Sequence, residues 1–275
     1  MKNPLFTVIG VMLASFCYGQ SDTIYSNNLK IVCSVREVTP EAVKFIYPGE
    51  DVLNSFYKNS VQKIVFKNGR VQTFSEATSF KNVASVDDFE NVTISRVEGE
   101  VKGLFKLGEV SAKSVGTTAL ANQERVKDRA YRKLKMLAAM MGGNTVYLID
   151  QRTEGNKLGT EYQAASAAET NLTGIAYTNQ LPVYDDFTKL VTDKRNFVAV
   201  AEAKLWSSAS DISRPVTFKK FAINSITNDN GLIMLDGNLE GERNYSKFRV
   251  ISFSKDYFNI YYEDKSTSYN LTVSM

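Results

Sequence analysis

Between Arg125 and Lys135 the chain carries six positive charges and one negative, Asp128. On a helix, Arg125, Arg129, Arg132, Lys133 and Lys135 project mostly to one side, with Lys127 at the border. Such a face could hold phosphates or an acidic protein surface, because guanidinium groups bind oxyanions through paired donors. A solvated helix face, with Glu124 and Asp128 pairing to Lys127 and Arg132, gives the same pattern and is the favoured reading. A second cluster, Tyr257, Tyr261 and Tyr262 with Phe258, Tyr269 and Trp206, could form a platform for a sugar or a peptide. Strands also prefer aromatics on a half-buried face, and the competing reading is core. The carboxylate pairs Asp87-Asp88 and Asp185-Asp186, and the region of Asp229 and Asp236, lack the ligand spacing of a calcium loop and read as turn and cap residues.

Other chemistries are struck out by composition. The chain has no histidine, which removes Ser-His and Cys-His triads and His-ligated zinc. Of its two cysteines, Cys33 sits in the apolar run Ile31 to Val35 and reads as a small buried hydrophobe. No glycine-rich phosphate loop is present: Gly99, Gly103 and Gly108 are too widely spaced. No catalytic, cofactor-binding or metal-binding set is expected. The net charge of +3 suggests no nucleic-acid partner.

Lys2, the apolar run Leu5 to Phe16, and small residues at Cys17 and Gly19 form an export signal, residues 1–19, cleaved before Gln20. A lipoprotein alternative acylates Cys17, but Phe16 stands where such signals need a small residue. A soluble exported protein of the periplasm or cell envelope is therefore expected, with no further segment of transmembrane length.

The elements that must position these residues fall into three modules. Residues 22–98 read as β, with strands at Leu29 to Val38, Ala42 to Tyr47, Val61 to Phe66 and Arg70 to Phe74, the last two joined by Asn68-Gly69. Residues 99–180 hold one long amphipathic helix from Ala119, whose Val126, Ala130, Leu134, Leu137 and Met141 form an apolar stripe, then Gly142-Gly143 and the strand Thr145 to Ile149. Residues 183–194 suggest a short helix or a linker. Residues 195–275 read as six antiparallel strands forming a curved sheet or small sandwich, with turns at Asn230-Gly231, Asp236-Gly237 and Ser254 to Asp256. The fold class is α+β.

Leu107-Gly108-Glu109-Val110-Ser111, the helix exit Met141-Gly142-Gly143-Asn144-Thr145-Val146 and Gly174-Ile175-Ala176-Tyr177 resemble the RcsF/YbjQ-type envelope module. The N-terminal part loosely resembles an SH3-like or Sm-like small barrel. The first resemblance implies a β–α–β core in an envelope protein that senses or binds and does not catalyse. It departs from RcsF-type sensors in having no cysteine within the module, so no functional residue is carried over. The expected function is a non-catalytic binding, sensing or assembly module with a protein partner. An anionic lipid, phosphate or glycan surface met by the basic helix face is the alternative, and a carboxylate-dependent hydrolase is the third reading.

Overall fold

The computed structural model describes residues 21–26, 29–74, 80–118, 120–155, 158, 164–192 and 194–275, so the expected export signal lies outside the described residues. The chain divides into two compact units, Met1–Thr78 and Ser79–Met275.

The first unit is an antiparallel sheet of β1 (Asp22–Ser26), β2 (Leu29–Val38), β3 (Ala42–Ile46), β4 (Asn54–Tyr57), β5 (Val61–Val65) and β6 (Val71–Thr73), in the order β4-β3-β2-β1-β5-β6. The imperfect alternation of β2 has a local cause. Ile31, Cys33 and Val35 face the core, and the register shifts between Val35 and Glu37, so that Val38 faces it next. Gly69 takes the positive φ, 82°, that the Asn68-Gly69 turn requires. Cys33 is buried beside Ile24 and Phe45, and burial, helped by the nearby Asp22 carboxylate, pushes its thiol up to about 11, which makes it an inert core residue. Asp22 is buried as well, and its two oxygens accept from the backbone N–H of Val35 at 2.8 Å and of Lys67 at 2.7 Å. Asp22→Ala is expected to destabilise this unit by about 2–3 kcal/mol in urea unfolding, because both donors lose a charged acceptor. Asp22→Asn, which keeps one acceptor, should recover part of the loss.

The second unit overturns two expected boundaries. Residues 80–98 belong here and not to the N-terminal module. A 3-10 helix over Val86–Asn91, opened by a capping box between Ser85 and Asp88, buries Val86 against the long helix. After it, β7 (Thr93–Ser95) pairs in parallel with β9 (Thr145–Glu154). The sheet is completed by β8 (Phe105–Val115) and β10 (Glu169–Thr178), in the order β7-β9-β10-β8. Across one face lies α1 (Gln123–Met140), capped by the Asn122 side chain, which accepts from Arg125 N–H at 3.0 Å. Val126, Ala130, Leu134 and Ala138 of α1 are buried against or beside that sheet, and Gly142 ends the helix with φ 80°.

The second boundary to fall separates the central and C-terminal modules, which form one compact unit. The segment expected as a short helix or a linker holds a short helix, α2 (Tyr184–Leu190), and then come β11 (Asn196–Trp206), β12 (Val216–Asp229), β13 (Leu232–Leu239), β14 (Lys247–Phe253), β15 (Tyr257–Asp264) and β16 (Thr267–Ser274). They follow one another as the meander predicts, and β16 pairs back onto β11, so the sheet closes into a barrel. Closure removes both edges of the meander. Asn230 and Gly231 both take positive φ in the β12–β13 turn. The barrel is filled by Phe197, Phe221, Phe248, Phe258, Ile260 and Leu271, and Phe187 of α2 packs into the same core.

The barrel docks on α1 through a second buried helix face, Lys133, Met136 and Met140, against Ala203, Leu205 and Val86. Polar side chains of the barrel finish the seam. Arg249 donates to the carbonyls of Leu107 and Met141 at 2.9 Å each, and Asn270 Nδ2 to Met140 O at 3.2 Å. Asn259 Nδ2 and Ser252 Oγ both reach the carbonyl of Ala84. The helix has no basic residue in its own last turn, so the barrel supplies the donors and the positive charge that its C-terminal carbonyls need.

Candidate functional site

The basic face of α1 is largely consumed by the fold. Arg125 is exposed as expected. Arg129 is half-buried and donates to the carbonyl of Val115 at 3.0 Å. Arg132 pairs with Asp211 at 3.1 Å and lies over the Phe89 ring, so its partner is not the expected Asp128. Lys135 meets Glu90 at 3.5 Å. The Lys127–Glu124 pair, 3.5 Å, forms as read. Lys133 contradicts the exposed-face reading outright, with only 3% of its surface exposed.

The aromatic platform is not assembled either. Strand alternation sends Tyr262 into the barrel, where it stacks on Tyr269 with ring centroids 4.5 Å apart and donates to Glu242, while Tyr257 stands outside, 40% exposed. Tyr261 lies half-buried under the Arg249 guanidinium, 5.1 Å from it, and burial together with the Glu263 carboxylate pushes its hydroxyl up to about 12. Among the carboxylates, Asp88 caps the 3-10 helix, Asp87 pairs with Arg214, and Asp236 accepts from Asn224. No group of three or more Cys, Asp or Glu that could hold a metal ion occurs among the described residues. Among them, too, no helix is long and apolar enough to cross a membrane.

A cleft of about 850 Å³ lies where β8, α1 and the barrel meet. One wall is β8. It is the last strand of its sheet and pairs with β10 alone among the described residues. Gly116 N–H, just past its end, donates to Ala168 O, so by alternation Ser114, Ala112 and Val110 turn their backbone groups toward β10, and Lys113, Ser111 and Glu109 turn theirs to the free side. The two ends of that free side are already taken: Val115 O receives Arg129, and Leu107 O receives Arg249. Between them Glu109, Ser111 and Lys113 turn to the cleft backbone donors and acceptors that pair with no strand among the described residues. The Lys113 side chain, which could guard the edge, is held by Glu169 at 2.7 Å.

Lys133 and Leu137 of α1 and its C-cap residue Met141, four residues apart, form a row in the lining. The barrel contributes Trp206, Ser207 and the β15–β16 turn at Lys265 and Ser266 to the lining. The Lys133 ammonium donates to the Ser207 carbonyl, and no carboxylate pairs with it among the described residues. Burial alone pushes it below the ordinary lysine range, with no opposing charge to hold it up. Ser114 is another residue of the lining, and its Oγ is buried with no hydrogen-bond partner among the described residues.

Leu137, Met141 and the Gly108-Glu109-Val110-Ser111 stretch were visible as sequence features, but nothing in the sequence placed them in one cleft. The sequence puts Lys133 on the solvated face because its neighbours Arg132 and Lys135 are charged, whereas the fold buries it. The signal available was the spacing of Lys133, Met136 and Met140 by three and four, a second helical row. No family model, curated protein or solved structure matches this chain.

Proposed function

We propose that the chain is a non-catalytic exported envelope protein that binds another protein, adding an extended segment of its partner to the free edge of β8. The observation that carries this reading is the free side of Glu109–Lys113, which pairs with no strand among the described residues, lies between two arginine-capped carbonyls and opens into a cleft. Natural sheets cover, charge or bend their edges, because an open edge is a template for another strand. An edge left open inside a cleft suits strand addition, in which main-chain hydrogen bonds give affinity and pockets for alternate side chains give specificity. The Lys2 to Gly19 pattern supports export. The anionic-surface alternative loses support, since Arg129, Arg132, Lys133 and Lys135 are engaged within the fold.

The test uses a displayed library of random decapeptides selected against the full chain, with enriched peptides re-measured on variants. Ser111→Pro removes an N–H that points to the free side and makes no ladder bond among the described residues, so folding should survive while affinity drops tenfold or more. Ser111→Ala should bind as the parent does. Peptides that bind Ser111→Pro undiminished, or no enrichment at all, would put the binding function elsewhere.

A further inference from the structure

The same cleft specifies the chemistry of its occupant, an inference that rests on the strand-addition reading. A strand laid along β8 continues the pleat, so alternate side chains face α1 in the row of Val110, Ala112 and Ser114. Beneath that row α1 presents Lys133, Leu137 and Met141 at every fourth residue. Four residues of helix rise about 6 Å and two residues of strand advance about 6.7 Å, so the two spacings match over three positions. The helix row runs opposite to β8. Arg249 brings Met141 beside Leu107, and Arg129 brings the first half of α1 to Val115, so Lys133 lies toward the Ser114 end.

We infer that the partner segment is an extended acidic peptide of pattern Glu/Asp-x-apolar-x-apolar, running antiparallel to β8 as β10 does on its other side, the more stable of the two strand pairings, with its carboxylate on the Lys133 ammonium and its apolar side chains on Leu137 and Met141. The charge requirement comes from Lys133. Among the described residues this buried ammonium is bonded to one carbonyl, with two donors unused and no counter-ion. The unpartnered hydroxyl of Ser114 provides a further donor in the same lining. The cleft's own carboxylates do not meet the need: Glu263 accepts from the Tyr261 hydroxyl, Glu109 projects from the face of β8 away from the helix, and neither pairs with Lys133. Two apolar residues follow because Leu137 and Met141 offer hydrocarbon and sulfur, and Gly108, whose missing side chain leaves room for the Met141 methyl, adds no polar group there.

The experiment is fluorescence anisotropy with three labelled decapeptides on the full chain, identical except for a central Glu-Thr-Val-Thr-Leu, its Gln-Thr-Val-Thr-Leu counterpart, and the reversed order Leu-Thr-Val-Thr-Glu. The Glu peptide should bind at least tenfold more tightly than the Gln peptide, and the reversed peptide should bind like the Gln peptide. Lys133→Met should abolish the preference for Glu over Gln. The comparison of peptides on the unaltered chain stands even where that variant fails to fold. Equal binding of the Glu and Gln peptides, with loss of both on Ser111→Pro, would overturn the carboxylate inference and leave strand addition intact. Equal binding of all three unaffected by Ser111→Pro, or binding of none, would overturn both.

Discussion

Replacing Arg249 by alanine is expected to destabilise the second unit by about 3 kcal/mol. Arg249 is 8% exposed, and its guanidinium spans three groups, the carbonyls of Leu107 and Met141 and the face of Tyr261. A hydrogen bond from a charged donor contributes about 1.5–3 kcal/mol, and two are lost together, leaving two carbonyls at the seam without this donor. Part of that loss is offset, because burying a cation carries a desolvation cost that the variant no longer bears, and here burial already pulls the guanidinium below its ordinary range. Arg249→Lys should recover little. An ammonium is a compact point donor, whereas the planar fork reaches two carbonyls on different elements at 2.9 Å each. Urea unfolding followed by tryptophan fluorescence is a suitable measurement, since Trp206 lies on β11 in the same unit. A loss below about 1 kcal/mol would mean that the apolar contacts of Met136, Met140, Ala203 and Leu205 hold the seam without help.

What the sequence made legible, and what it did not, follows from the range of the forces involved. The six C-terminal strands were readable because each is a local pattern, with β-branched and aromatic residues bounded by turns such as Asn230-Gly231. Their closure was not, because the pairing of β16 with β11 joins residues some seventy positions apart and leaves no periodic trace. Strand β7, Thr93–Ser95, was invisible for a simpler reason: three residues are too few to show alternation, and its place is set by β9. The helix showed one apolar stripe clearly. Its second buried row was hidden by Lys133 itself, a charged side chain that normally marks solvent. The same concealment applied to the candidate site. An open strand edge is a property of which strand ends a sheet, and no residue type in Glu109–Lys113 announces it.

Phe258→Ala is expected to give the largest loss in the barrel, about 3–5 kcal/mol, and to lower the thermal midpoint by about 10 °C. Phe258 is fully buried, and its ring lies 5.5 Å from that of Phe187, 5.2 Å from Phe197 and 6.2 Å from Phe221. Those partners come from α2, β11 and β12, so truncation leaves a void bounded by elements that cannot all move inward at once without straining the closed hydrogen-bond ring. Tyr257, one residue earlier on the same strand, is 40% exposed, and Tyr257→Ala should cost under about 1 kcal/mol. The contrast between adjacent aromatics separates the two accounts of this cluster. A recognition platform would show its large effects at exposed tyrosines and in ligand binding, whereas a core shows them at the inward residue and in stability. The expected order, Phe258 far above Tyr257 in scanning calorimetry, follows from the alternation of β15, and the reverse order would return the cluster to the surface.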